Sequence, residues 1–117
     1  MNTDMSPEFT VDAEPMGDAY VVAPVGELDL GTVGAVRSVL AARPPGCHRL
    51  VLDLSELTFF DTSGMRLVVE TMQELGTAGI RFAIVRGPED VQRLFALAGM
   101  DDRLPFFDDR EEALAQR

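Results

Sequence analysis

Lysine is absent from this 117-residue chain: its ten basic residues are all arginine, set against twenty acids for a net charge of −10. A strongly acidic domain with no basic stripe is a poor nucleic-acid binder, because phosphate neutralisation supplies most non-specific affinity. The same charge argues against an anionic membrane surface, and otherwise serves only to keep a small protein soluble. The missing lysine reads as genomic base composition. Cysteine and histidine occur once each, as Cys47 and His48. A single cysteine forms no internal disulfide, which suits a cytoplasmic protein, and Cys47 reads as an incidental turn residue. There is no Cys/His cluster for zinc and no Gly-x-x-x-x-Gly-Lys phosphate loop, so neither metal nor cofactor is expected. No apolar run is long enough to span a bilayer. Met1 to Glu8 is polar, contains Pro7 and lacks the charged-then-apolar layout of a signal peptide, so the expected location is cytoplasmic. Internal repeats, low-complexity tracts and linkers are also missing.

What is present describes one folded unit. A hydrophobic share of 46% excludes wholesale disorder. At this length a chain buries a core without disulfide or metal staples. Residues 1–8 read as a disordered N-terminus and 9–117 as the domain. Phe9 to Ala13 alternates, with Phe9, Val11 and Ala13 on one face, and Tyr20 to Val25 is a short apolar run. Turn chemistry at Pro15 to Asp18 makes the two a hairpin. Gly26-Glu27-Leu28-Asp29 breaks the second strand. Leu30 to Ala42 then carries Val33, Val36, Val39 and Leu40 at helical spacing, ended by Pro44-Pro45-Gly46. Arg49 to Leu54 is a nearly continuous apolar strand, as expected where both faces are covered.

The second half continues the alternation. Met65, Val68, Val69, Met72 and Leu75 share one helical face, opposite Arg66, Glu70, Gln73 and Glu74, and Gly76 and Gly79 provide the stop. Ile80 to Val85 is a strand. Gly87-Pro88-Glu89-Asp90 starts a helix with Val91, Leu94, Phe95, Leu97 and Ala98 on its core side. Leu104 to Phe107 is a short strand that Pro105 confines to an edge. Asp108 and Asp109 cap a last helix with Ala113 and Leu114 inward. The order β-β-α-β-α-β-α-β-α predicts an α/β fold: a mixed sheet with a hairpin start and a parallel portion, packed with about four helices.

Between the strand ending at Leu54 and the helix holding Met65 lies Phe59-Phe60-Asp61-Thr62-Ser63-Gly64-Met65. Two hydroxyls stand at the start of a helix, where backbone N–H groups lack partners and the dipole is positive. A phosphate added there is compatible with the fold. In sheets of this kind sites gather beyond the carboxyl ends of parallel strands, where the Gly26-Glu27-Leu28-Asp29 turn also belongs. An acyl-transfer reading fails. Ser63 precedes Gly64, but Phe60 or Asp61 stands where the Gly-x-Ser-x-Gly elbow needs glycine. His48 precedes the strand that Ser63 follows, which sets them roughly 20 Å apart at ~3.3 Å per residue. Hydrogen-bond reach is about 3 Å.

Gly26-Glu27-Leu28-Asp29, then Val51-Leu52-Asp53-Leu54 leading into Phe60-Asp61-Thr62-Ser63-Gly64-Met65, resembles the STAS domain family. The similarity is greatest to bacterial anti-sigma factor antagonists. Val91-Gln92-Arg93-Leu94-Phe95 with Ala98-Gly99-Met100 is similar to the family's third helix and the turn after it. The resemblance runs from about Phe9 to the final helix. It implies a partner-switching regulator of transcription and no enzyme. Such a protein binds a serine-kinase anti-sigma factor and frees a sigma factor. The kinase inactivates it by phosphorylating the hydroxyl after the motif aspartate, and a PP2C-type phosphatase restores it. That hydroxyl is Thr62 here, where many relatives carry serine, with Ser63 the alternative acceptor. The implied partner surface is Glu27, Asp29, Asp61, Thr62, Ser63, Gly64 and Met65.

Plainer roles stand beside these. Thr62 or Asp61 is a helix cap on one reading, Gly64 allows close backbone approach, and Asp29 caps the first helix or contacts the partner. Glu27 is solvated, Met65 and Met72 fill the core, and Arg66 makes either a solvated salt bridge or a phosphate contact. The other functional reading is a constitutive STAS scaffold subunit of a stress-signalling or transport complex.

Overall fold

Ten residues, Ala19–Leu28, of which the first six are buried without interruption, form β2, the strand on which the sheet is assembled. The computed structural model describes residues 9–116. The expected disordered segment 1–8, and the last residue of the expected 9–117 domain, lie outside them. β1 (Thr10–Met16) pairs antiparallel to β2 through a turn at Gly17–Asp18. β3 (Arg49–Asp53) and β5 (Arg81–Val85) extend the sheet in parallel, and β6 (Phe106–Phe107) closes its far edge, parallel to β5. β4 (Leu57–Phe60) lies off this path and pairs in parallel with the end of β2. The helices are α1 (Val33–Ala41), α2 (Thr62–Ala78), α3 (Glu89–Leu97) and α4 (Arg110–Ala115). The result is a mixed α/β fold with a six-stranded sheet and four helices.

Alternation along the strands sends side chains to two cores. Tyr20, Val22, Leu50, Leu52, Phe82 and Ile84 face one side, where they meet Val36, Leu40, Leu67, Leu75 and Phe95 of the first three helices. Val21, Val51, Ala83 and Val85 face the other, covered by Ala113 of α4 with Leu114 packed alongside. Asp53 falls on this second face and is only 3% exposed. Its Oδ2 accepts from Arg110 Nε at 2.6 Å, and its Oδ1 accepts from Ser55 N at 2.9 Å. A buried carboxylate therefore ties α4 to the sheet and starts the turn into β4 at once.

The element order departs from expectation at β4. Leu57-Thr58-Phe59-Phe60 is buried, exposed, exposed, buried, which lacks the alternation that marks a strand. It is formed because the chain turns tightly after β3, with Leu57 N donating to Leu54 O, and enters beside β2. The predicted break at Gly26-Glu27-Leu28-Asp29 is a second correction. β2 runs through to Leu28, with a register shift between Gly26 and Glu27. Gly26 takes φ 110°, which lets the strand bend without ending.

The inward faces of the helices are narrower than the apolar spacing suggests. On α2 the buried stripe is Gly64, Leu67, Val68, Thr71 and Leu75, so Met65, Val69 and Met72 sit at its margin. Thr71 is accommodated by donating to Leu67 O at 2.7 Å. Gly76 lies within α2 and Gly79 closes it, donating to Gly76 O. On α3 only Val91 and Phe95 are buried; Leu97 is 79% exposed and Ala98 is exposed too. Ala13 of β1 is likewise exposed. Asp109 alone caps α4, accepting from Glu112 N, while Asp108 pairs with Arg86. Phe95 packs between Phe60 and Phe106 with both centroid separations 5.0 Å, which joins β4, α3 and β6. Such aromatic pairs add about 0.5–1.5 kcal/mol each beyond area burial.

Candidate functional site

Two loops meet at the carboxyl ends of β2 and β4, because Leu28 pairs with Phe60 and each strand then releases an aspartate into the turn before a helix. On the β4 side, Asp61 is the N-cap of α2. Its Oδ1 accepts from Ser63 N at 2.8 Å and from Gly64 N at 3.4 Å, which satisfies the first free donors of the helix. Thr62 is the first helical residue and is exposed, whereas Asp61 and Ser63 are half-buried. Capping therefore belongs to Asp61. Neither the Thr62 nor the Ser63 hydroxyl has a protein hydrogen-bond partner among the described residues.

Gly64 is fixed by packing. A Cβ there would stand 2.6 Å and 2.8 Å from the Phe60 ring and 3.2 Å from Leu28 Cγ. α2 can cross this close to β4 and β2 only over a glycine. Met65 follows at the margin of the core.

On the β2 side, Asp29 Oδ1 accepts from Gly31 N at 3.0 Å, and Thr32 Oγ1 donates to Glu27 O at 2.7 Å. Thr32 is the N-cap position of α1, so Asp29 shapes the preceding turn instead of capping the helix itself. Glu27 is exposed and lies opposite Phe59 in the β2–β4 pairing. The structure thus brings Glu27, Asp29, Asp61, Thr62, Ser63, Gly64 and Met65 to one end of the sheet.

A cleft of about 310 Å³ opens between the starts of α1 and α2, lined by Leu30, Val33, Arg37, Thr62, Ser63 and Arg66. Leu30 and Arg37 had no role in the sequence reading. Leu30 is 78% exposed, an unusual position for leucine beside polar hydroxyls. The only advance sign of it was its place just after the Gly-Glu-Leu-Asp turn. Arg37 pairs across to Glu70 at 2.8 Å, linking α1 to α2.

The single histidine is far from this cleft. His48 N donates to Asp18 O at 2.8 Å, at the start of β2, while Thr62 and Ser63 lie beyond the end of that strand. Nine steps along β2 are roughly 30 Å. Among the described residues no group of three or more His, Cys, Asp or Glu is placed to hold a metal ion, and no helix is long and apolar enough to cross a membrane.

A mixed six-stranded sheet with three helices on one face and one on the other, presenting a capped hydroxyl pair beyond its parallel strands, defines a class of small α/β domain. The STAS domain family model matches residues 10–113, and the chain belongs to that family. It is similar to an anti-sigma-B factor antagonist of Staphylococcus epidermidis, 33% identical over 86 residues that cover 73% of this chain and 80% of the relative. An anti-sigma F factor antagonist of Paenibacillus polymyxa is 27% identical over 108 residues, 91% and 92% of the two chains. The crystal structure of an anti-sigma factor antagonist from Mycobacterium paratuberculosis superposes with a TM-score of 0.77 at 28% identity, over 92% of each chain. These relatives are named as regulators, not as enzymes.

Proposed function

We propose that residues 9–117 act as one STAS unit that antagonises an anti-sigma factor carrying serine-kinase activity. Bound to that factor, the chain releases a sigma factor for transcription in the cytoplasm of a bacterium. Phosphorylation of Thr62, with Ser63 the alternative acceptor, ends the interaction, and a PP2C-type phosphatase restores it. The chain itself performs no catalysis. The contact surface is Glu27, Asp29, Asp61, Thr62, Ser63, Gly64 and Met65.

One observation carries this reading: the Thr62 hydroxyl is exposed at the first position of α2, while Asp61 and not Thr62 holds the helix start. The acceptor hydroxyl is therefore open to a kinase without any local unfolding. A phosphoryl group adds about −1.5 to −2 charges at neutral pH, beside Asp61 and near Asp29. Thr62 is exposed, so the added group displaces no core residue and the fold persists. A partner matched to a small neutral hydroxyl meets a bulky dianion instead, whose desolvation or repulsion is worth several kcal/mol. Each ~1.4 kcal/mol is tenfold in affinity, so one modification exchanges partners.

The test is phosphate transfer from the cognate kinase to the wild-type chain and to Thr62→Ala, Ser63→Ala and the double variant, followed by mass spectrometry. Loss of incorporation in Thr62→Ala and in the double variant, with Ser63→Ala labelled like the parent, is the expected result. Equal incorporation in all four chains would sink the switch, and loss in Ser63→Ala and the double variant but not in Thr62→Ala would move it by one residue.

A further inference from the structure

The charge arrangement around Thr62 runs against that of the whole chain. The protein carries −10 overall, yet the cleft holding Thr62 and Ser63 is walled by two arginines, Arg37 of α1 and Arg66 of α2. Their partners differ. Arg37 is held by Glu70 in an exposed ion pair, with side chains 48% and 47% accessible. Arg66 enters no ion pair among the described residues. It lies four residues after Thr62, so the two share a face of α2 one turn apart.

The helix start is not where a phosphoryl group would be neutralised. Its donors at Ser63 and Gly64 already serve Asp61, whose own carboxylate repels an anion. The guanidinium groups are the remaining source of positive charge, and arginine matches phosphate oxygens with paired donors. Arg37 is recruited readily, because an exposed ion pair is weak and Glu70 left alone stays hydrated.

Resting on the reading of Thr62 as the acceptor, we propose that Arg66 and Arg37 form an intramolecular binding site for the Thr62 phosphoryl dianion, with Arg37 transferring to it from Glu70. The modification then acts twice. It places a bulky group at the partner surface, and it engages two cations that are otherwise exposed beside that surface. It also undoes the α1–α2 tie, so the seam between these helices registers the phosphorylation state.

The experiment installs phosphothreonine at position 62 during translation, so it needs no kinase and is unaffected if the kinase reading fails. The second ionisation of the phosphate, near 6 in an unconstrained residue, is followed by phosphorus NMR in the parent chain and in Arg66→Gln, Arg37→Gln and Glu70→Gln. Arginine Nε resonances are recorded in parallel. The parent phosphate is expected to ionise about half a pH unit or more below that of Arg66→Gln. Arg37→Gln should fall between them, and Glu70→Gln, which frees Arg37, should lie at or below the parent. Arg37 and Arg66 Nε signals should move together as the phosphate ionises. A phosphate that titrates identically in all four chains overturns the proposal. Thermal unfolding of the unphosphorylated variants verifies that each is folded.

Discussion

Gly64 and Phe60 are packed so closely that a methyl group on the glycine would enter the phenyl ring at 2.6 Å. The ring has little room to swing aside, because it packs at a tilt against Phe95 with centroids 5.0 Å apart. Gly64→Ala is therefore expected to destabilise the fold by about 1–3 kcal/mol, the usual range for overpacking. Urea denaturation should show a lowered midpoint with an unchanged slope. Because the displaced element is the start of α2, partner affinity should fall by more than the stability loss explains.

The buried carboxylate of Asp53 makes a second prediction on the opposite face. Arg110→Met leaves Asp53 facing Ser55 N alone, and an under-satisfied buried charge costs about 1–3 kcal/mol, with Arg110 itself partly solvated. The double variant Asp53→Asn with Arg110→Met should recover part of that loss. With Asp53→Asn alone added, a thermodynamic cycle measures the coupling, and additive effects would mean that the ion pair contributes nothing.

Removing the cap of α2 separates two roles of one side chain. Asp61→Ala should cost about 1 kcal/mol, whereas Asp61→Asn keeps an oxygen acceptor for Ser63 N and should cost only a few tenths. If the negative charge matters to the partner, Asp61→Asn binds poorly while remaining stable. Calorimetric binding set beside thermal melts distinguishes the two.

Thr62→Glu and Leu30→Ser change exposed atoms and should leave unfolding within ~0.5 kcal/mol of the parent, as surface substitutions do. Binding to the proposed anti-sigma partner is the contrasting readout. Thr62→Glu should lose at least about tenfold, equivalent to ~1.4 kcal/mol. Leu30, 78% exposed beside the hydroxyl cleft, should lose a similar factor when made polar. An unchanged affinity in Leu30→Ser would remove it from the interface.

Much of this arrangement was legible from residue spacing. Continuous apolar runs marked β3 and β5, Gly and Pro marked the breaks, and Asp61-Thr62-Ser63-Gly64 was found by its position between strand and helix. Four features were not legible. β4 is four residues without strand alternation, and its existence depends on a partner strand remote in sequence. The continuation of β2 through Gly26 depends on a bend that glycine permits, and glycine in a run ordinarily signals an end. Leu97 has the spacing of a core residue but faces solvent, since α3 presents only Val91 and Phe95 to the sheet. Arg37 was silent for a similar reason: only the packing of α1 on α2 brings it to Thr62.

β2 is shared, its first half pairing with β3 and its last residues with β4. The sheet is consequently forked, and the two prongs are not equally secured. Ala19–Val22 is flanked on both sides by full-length strands, while Gly26–Leu28 and the four residues of β4 form a short ladder of their own. In hydrogen exchange the two should behave as separate cooperative units, the hairpin end opening only with global unfolding and the Thr62 end at lower free energy. A domain built this way has a tight half that keeps it folded and a looser half that carries Thr62.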